Sequence, residues 1–106
     1  MSVNNIEAIL GQVAFDEEGF LINPNDWSRE LASAIASREG LELTDRHWAV
    51  IEFNRASFAE DGEAPTLRRI TKSTDVNTKE LYALFPGGPA KLAAKVSGLG
   101  KPTGCI

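Results

Sequence analysis

The sequence is poor in the residues that most often carry chemistry: one cysteine, one histidine, one methionine and one tyrosine among 106 residues. A single cysteine excludes an internal disulfide framework. With a single histidine beside it, a zinc site is close to excluded. No apolar run approaches the roughly 18 residues of a membrane span. Met1 to Asn5 bring no basic cluster ahead of a long apolar stretch, so no secretory signal is expected. Positive charge is not in excess either: 11 basic against 15 acidic side chains leave a net charge of −4. That balance argues against a protein that lives on nucleic-acid phosphates. Together these absences predict a protein of the reducing cytoplasm, without a resident cofactor or metal and with no direct nucleic-acid or membrane partner.

What is present suits one small domain. Residues 5 to 22 read as short strands: Ile6 to Leu10 and Val13 to Phe15 flank Gly11-Gln12, and Asp16-Glu17-Glu18-Gly19 turns the chain before Phe20-Leu21-Ile22. Asp26 is a cap candidate for a helix over 27–39, in which Trp27, Leu31 and Ile35 form a stripe four residues apart. Thr44 is the cap candidate for a helix over 45–60, apolar around much of its circumference and so expected at the centre. Pro65-Thr66 opens a short segment to Ser73, and Asn77 with Glu80 has capping-box spacing for a helix to Phe85. Pro89 opens a last helix closed by Gly98. The expected fold class is α+β: a small N-terminal β-hairpin packed on an orthogonal bundle of four to five short helices. The expected globular domain is 1–98, followed by a flexible C-terminal arm, 99–106.

Charge is segregated along this layout. Residues 91–106 hold Lys91, Lys95 and Lys101 and no acid, whereas residues 1–90 hold 8 basic and 15 acidic groups. The one cysteine, Cys105, therefore lies on a basic stretch free of acids. Thiol chemistry needs a thiolate and access to it. A cysteine placed beyond Gly98, Gly100, Pro102 and Gly104 has access, since seven residues past Gly98 span roughly 23 Å when extended. The plainer alternative is a stray cysteine on a frayed tail.

Other candidates read more plainly still. His47 suits a general base for a thiol, but in the first turn of a helix beside Trp48 it reads better as a packed or capping side chain. Asp16, Glu17 and Glu18 lack the one-three-five spacing of a calcium loop and read as a solvated turn. Residues 45–74, with Arg68, Arg69 and Lys72 on the second helix, have the outline of a helix-turn-helix. Glu60, Asp61 and Glu63 directly before them would repel phosphate. Gly87-Gly88-Pro89-Ala90-Lys91 matches no phosphate-loop or dinucleotide pattern and reads as a turn.

Taken in order, several blocks resemble the DsrC/TusE family of sulfur-carrier proteins, which includes the gamma subunit of dissimilatory sulfite reductase. They are Asp16-Glu17-Glu18-Gly19-Phe20-Leu21, Asp26-Trp27-Ser28, Glu39-Gly40-Leu41-Glu42-Leu43-Thr44, His47-Trp48 with Val50-Ile51, and Pro65-Thr66-Leu67-Arg68. The most specific are the last two, Leu81-Tyr82-Ala83-Leu84-Phe85-Pro86-Gly87-Gly88-Pro89-Ala90-Lys91 and Lys101-Pro102-Thr103-Gly104-Cys105-Ile106. The resemblance implies a sulfurtransferase-type carrier that holds sulfane sulfur as a persulfide on Cys105. It implies a TusD- or DsrE-like donor. It implies as acceptor a tRNA-thiolating enzyme, or a sulfite reductase or heterodisulfide-reductase-like complex. Three departures are visible. Ala94 stands where the sulfite-reductase branch has a second cysteine, which leaves the single-cysteine pattern of the TusE branch. The segment from Ser73 to Glu80 is shorter than the family's loop. Gly100 replaces the first proline of the family's arm, which loosens the backbone there. The rival expectations are a non-catalytic regulatory or interaction paralogue and, further off, a DNA-binding protein through residues 45–74.

Overall fold

The computed structural model describes the backbone of residues 3–101 and the side chains of residues 7–101. Among the described residues the fold is all-helical, which corrects the expected α+β class. Its elements are α1 (Val3–Leu10), a 3-10 turn (Pro24–Asp26), α2 (Arg29–Arg38), α3 (Asp45–Asp61), α4 (Leu67–Ser73), α5 (Thr78–Leu84) and α6 (Pro89–Val96). The run Ile6 to Leu10, expected as a strand, lies in α1. The sequence positions Ile6, Ile9 and Leu10 also satisfy the helical i, i+3, i+4 spacing, and a segment of five residues is too short to separate the two periods. Of the expected hairpin, one antiparallel bridge survives, between Phe15 and Leu21. The turn beneath it forms where expected: Asp16 Oδ1 accepts from the backbone N–H groups of Glu18 and Phe20, each at 2.9 Å.

The helices begin where polar side chains replace the missing backbone acceptors. Ser28, not Asp26, caps α2, accepting from Leu31 N–H at 3.0 Å. Asp26 lies in the 3-10 turn. Thr44 and Asn77 cap α3 and α5 as expected, and Thr66 caps α4. Only half of the anticipated Asn77/Glu80 box forms: Asn77 Oδ1 accepts from Glu80 N–H at 2.8 Å, while the Glu80 carboxylate turns to Arg46 on α3. Arg46 also reaches Asp75, and its guanidinium holds both carboxyl groups below their usual range.

The main core joins Leu31 and Ile35 of α2, Val50 and Ile51 of α3, Ile70, Val76, Leu81, Phe85, Ala93 and Val96. A second cluster unites Phe20, Ala64, Ala94 and Leu99. No helix among the described residues is long and apolar enough to cross a membrane. Helix α3 turns His47, Val50, Ile51, Asn54 and Ser57 inward, so its inward face is not its most apolar one. Trp48 and Phe53 are only half-buried, whereas Asn54 and Ser57 point inward.

Asn54 is fully buried, and neither its side-chain oxygen nor its nitrogen has a partner among the described residues. Leaving such an amide unpaired costs about 1–3 kcal/mol. Leucine has the same branching at Cγ and no polar atom. Asn54→Leu is therefore expected to stabilise the fold by about 1–2 kcal/mol. In a domain of this size that raises the unfolding midpoint by roughly 5–10 °C. An unchanged or lowered midpoint in a thermal melt would mean that the amide is satisfied by internal water.

Candidate functional site

Cys105, the thiol on which the expected chemistry rests, lies outside the described residues. The site that the structure builds is the end of helix α6 and the residues packed around it, as far as Lys101. Helix α6 ends with Gly98 in the left-handed conformation, φ +74°. Gly98 N–H donates to Lys95 O at 3.2 Å and Leu99 N–H to Ala94 O at 3.0 Å. These are the two bonds of a Schellman termination, and Leu99 makes the apolar contact that accompanies it, fully buried against Ala94 and Phe20.

Two side chains from distant segments close over this turn. The Trp27 indole covers Gly98 so closely that a β-carbon placed on Gly98 would collide with Trp27 Cδ1. Trp27 Nε1 donates to Val96 O at 3.0 Å. Arg55 of α3 stacks on that indole, its guanidinium carbon 4.5 Å from the ring centre. Arg55 Nη1 donates to Pro24 O at 3.1 Å and to Ser97 O at 3.2 Å. Past the turn, Gly100 is exposed and Lys101 Nζ lies 3.4 Å from Glu18 Oε1, an oxygen that Lys91 Nζ approaches at 3.5 Å.

The other sequence candidates fall into structural roles. His47 is buried and clasps α3 to the end of α5. Its Nε2 is 2.8 Å from Leu84 O, which can only accept, so Nε2 carries the proton. Its Nδ1 then accepts from Thr44 N–H at 3.1 Å, and its ring meets Phe85 edge-on. Both nitrogens are occupied, which leaves no free base for a thiol. The acids of the Asp16–Gly19 turn hold no metal arrangement, and no group of three metal-ligating side chains occurs among the described residues. In the 45–74 region Arg69 is paired with Asp61, which removes one of the three cations a DNA-reading helix would present. Gly87 and Gly88 form the expected turn, both at positive φ.

Trp27 and Arg55 are site residues that the sequence does not reveal. The termination itself is signalled: Gly98 followed by leucine is the pattern of a helix stop with an apolar anchor. Nothing local marks the indole and guanidinium, because they come from 69 and 42 residues away.

The model of the family described as "DsrC like protein" matches residues 9–106, nearly the whole chain. The chain belongs to the DsrC-like family. Among its relatives, the sulfurtransferase TusE of Yersinia pseudotuberculosis is 43% identical over 98 residues, covering 86% of this chain and 91% of the relative. TusE of Salmonella typhimurium is 41% identical over 102 residues, covering 90% and 94%. The solution structure of DsrC from Allochromatium vinosum superposes with a TM-score of 0.78 at 46% identity, covering 89% of this chain and 90% of that one. The oxidized gamma subunit of dissimilatory sulfite reductase from Archaeoglobus fulgidus gives 0.78 at 39% identity, covering 89% and 92%. Within this family Ala94 takes on meaning. It lies in α6, wholly buried in the Phe20 cluster, and supplies the carbonyl that anchors Leu99.

Proposed function

We propose that this DsrC-like chain is a single-thiol sulfur-relay carrier of the cytoplasm. The Cys105 thiolate attacks the outer sulfur of a donor persulfide. The donor's S–S bond breaks, the donor cysteine leaves as a thiolate, and Cys105 holds the sulfur as a persulfide. Run in reverse against an acceptor thiolate, the same exchange delivers the sulfur with no net oxidant or reductant. The observation that carries this reading is the extent of the family match, which runs through residue 106 and so includes the segment bearing the chain's one thiol. Relatives named sulfurtransferase along about nine-tenths of their length support it.

The donor in this reading is a TusD- or DsrE-like protein. The acceptor is a tRNA-thiolating enzyme, in preference to a sulfite reductase or heterodisulfide-reductase-like complex. Ala94 supports that preference: a chain with one thiol can hand sulfur on but cannot close a disulfide on itself.

The test is intact-mass analysis of the full chain after exposure to inorganic polysulfide. The expected result is a gain of one or more sulfur atoms, reversed by dithiothreitol and abolished by prior alkylation with iodoacetamide. No gain, or a gain that survives alkylation, overturns the reading.

A further inference from the structure

Between α2 and α3 the chain crosses through Leu41 to Thr44, and it is held at both ends. Behind it, α2 stops at a left-handed Gly40, φ +79°. Gly40 N–H donates to Ser37 O at 3.1 Å and Leu41 N–H to Ala36 O at 2.7 Å. Ahead of it, Thr44 N–H donates to His47 Nδ1 at 3.1 Å, inside the capping box of α3. Leu41 and Leu43 are half-buried against the main core, while Glu42 and Thr44 are exposed. That is the two-residue alternation of an extended chain, and Thr44 itself is extended, with φ −105° and ψ 176°. The backbone groups of Glu42 and Leu43 nevertheless make no backbone hydrogen bond to another described residue. Donors and acceptors held in place without partners are what an added strand requires. Folding has already ordered this edge, so docking a strand on it costs less conformational entropy.

A groove of about 360 Å³ opens at the same place. It is lined by Ser33 and Ser37 of α2, by Leu41, Glu42 and Leu43 of the crossing, and by Trp48 of α3. The leucines and the indole offer apolar contact, and the two seryl hydroxyls, exposed one turn apart, offer hydrogen bonds. This mixture suits a peptide backbone with an occasional apolar side chain better than the apolar face of a helix. The rim is acidic. Glu42 lines the groove, Glu30 stands three residues before Ser33, and Asp45 three before Trp48, all of them exposed. Arg29, on the same rim, is already paired with Glu52 and stacked on Trp48. Such a rim attracts a cationic segment and repels phosphate. It also opposes a second copy of this chain, which would bring the same carboxylates to a two-fold contact.

We propose that this groove docks an extended, basic segment of a partner protein. The segment's backbone pairs with Glu42 and Leu43, one apolar side chain settles against Leu41, Leu43 and Trp48, and a lysine or arginine meets Glu42. The site is built from α2, the crossing and the start of α3, and it stands independently of Cys105 and of the carrier reading.

The experiment titrates the full isotope-labelled chain with an acetylated, amidated hexapeptide in which lysine alternates with valine and leucine. Binding is read from the amide and indole signals in nuclear magnetic resonance. Saturable shifts are expected at the Glu42 and Leu43 amides and the Trp48 indole, with half-saturation below about 1 mM. Replacing the peptide's lysines by glutamates, or N-methylating alternate peptide groups along it, is expected to weaken binding at least about tenfold. On the chain, Glu42→Lys exchanges an exposed side chain and is expected to weaken binding about tenfold. Glu60→Lys makes the same charge change at an exposed position of α3 outside the groove and is expected to weaken it less than about twofold. The proposal is overturned by no shift at about 2 mM peptide, or by shifts centred away from residues 41–48. It is overturned equally by undiminished binding of the glutamate or the N-methylated peptide, or of the parental peptide to Glu42→Lys. Movement of the same signals as the chain alone is concentrated would place a second copy in the groove and overturn it too.

Discussion

Cys105→Ser is expected to abolish sulfur uptake completely. The nucleophile in persulfide exchange is a thiolate. A seryl hydroxyl does not ionise near neutral pH and cannot take a sulfur from an S–S bond by exchange. No second thiol can substitute, because Cys105 is the only cysteine and position 94 is alanine. The exchange of one sulfur for one oxygen is a small change, and the unfolding midpoint is expected to stay where it is. Intact-mass analysis after polysulfide treatment reads the first expectation and a thermal melt the second. Sulfur retained by the variant would move the chemistry to another side chain and end the carrier reading.

Gly98→Ala is expected to be the most damaging single-methyl change in the described structure. Two effects add. At φ +74° a side chain is strained wherever it is placed, at about 1–2 kcal/mol. The new β-carbon would also collide with Trp27 Cδ1 and stand 2.7 and 2.8 Å from Trp27 Cγ and Cβ. No rotamer change clears the last of these, because Trp27 Cβ is fixed to the backbone. Overpacking of this kind costs a further 1–3 kcal/mol or so. The sum, about 2–5 kcal/mol, is a large share of the roughly 5–15 kcal/mol that keeps a small domain folded. The midpoint should fall by roughly 10–30 °C. Gly87→Ala is the matched control: its φ of +79° brings the same strain, but nothing lies within 4 Å of its β-carbon. It is expected to cost only the strain, about 1–2 kcal/mol. Equal losses in the two variants would show that Trp27 does not cover Gly98.

Much of this fold is legible in local chemistry. Thr44, Thr66 and Asn77 mark three helix starts because a short polar side chain before a periodic apolar run has one favourable use there. Gly62 and Gly98 mark two helix ends because each requires a left-handed backbone. The N-terminal segment is misread for an equally local reason. Its five-residue segment is too short to favour one period over the other, and α1 packs against α2 where the pattern suggested a hairpin. Residues of α3 show a different limit. Apolar residues spread around much of its circumference do not show that Asn54 faces inward while Trp48 remains half-covered.

For the functional site, the sequence isolates Cys105 by scarcity, as the one thiol, on a basic stretch free of acids. The clamp over Gly98 is invisible there. Trp27 reads as the start of an apolar stripe, but it sits ahead of α2 and turns its indole to α6. Arg55 reads as one cation among several on a helix. Only the tertiary fold brings residues 27, 55 and 96–98 to a single point.

The seating of Leu99 has a mechanical consequence. A carrier whose thiol is gripped by another protein feels tension along its own backbone, directed outward from the last anchored residue. Here that load meets a buried leucine, a capped helix end and an indole laid across the chain. Besides its bonds to α6, this anchor is tied to α3 and the 3-10 turn through Arg55. The anchor behaves as a cable gland, so that repeated engagement and release at one end need not unravel the helix from which the cable emerges.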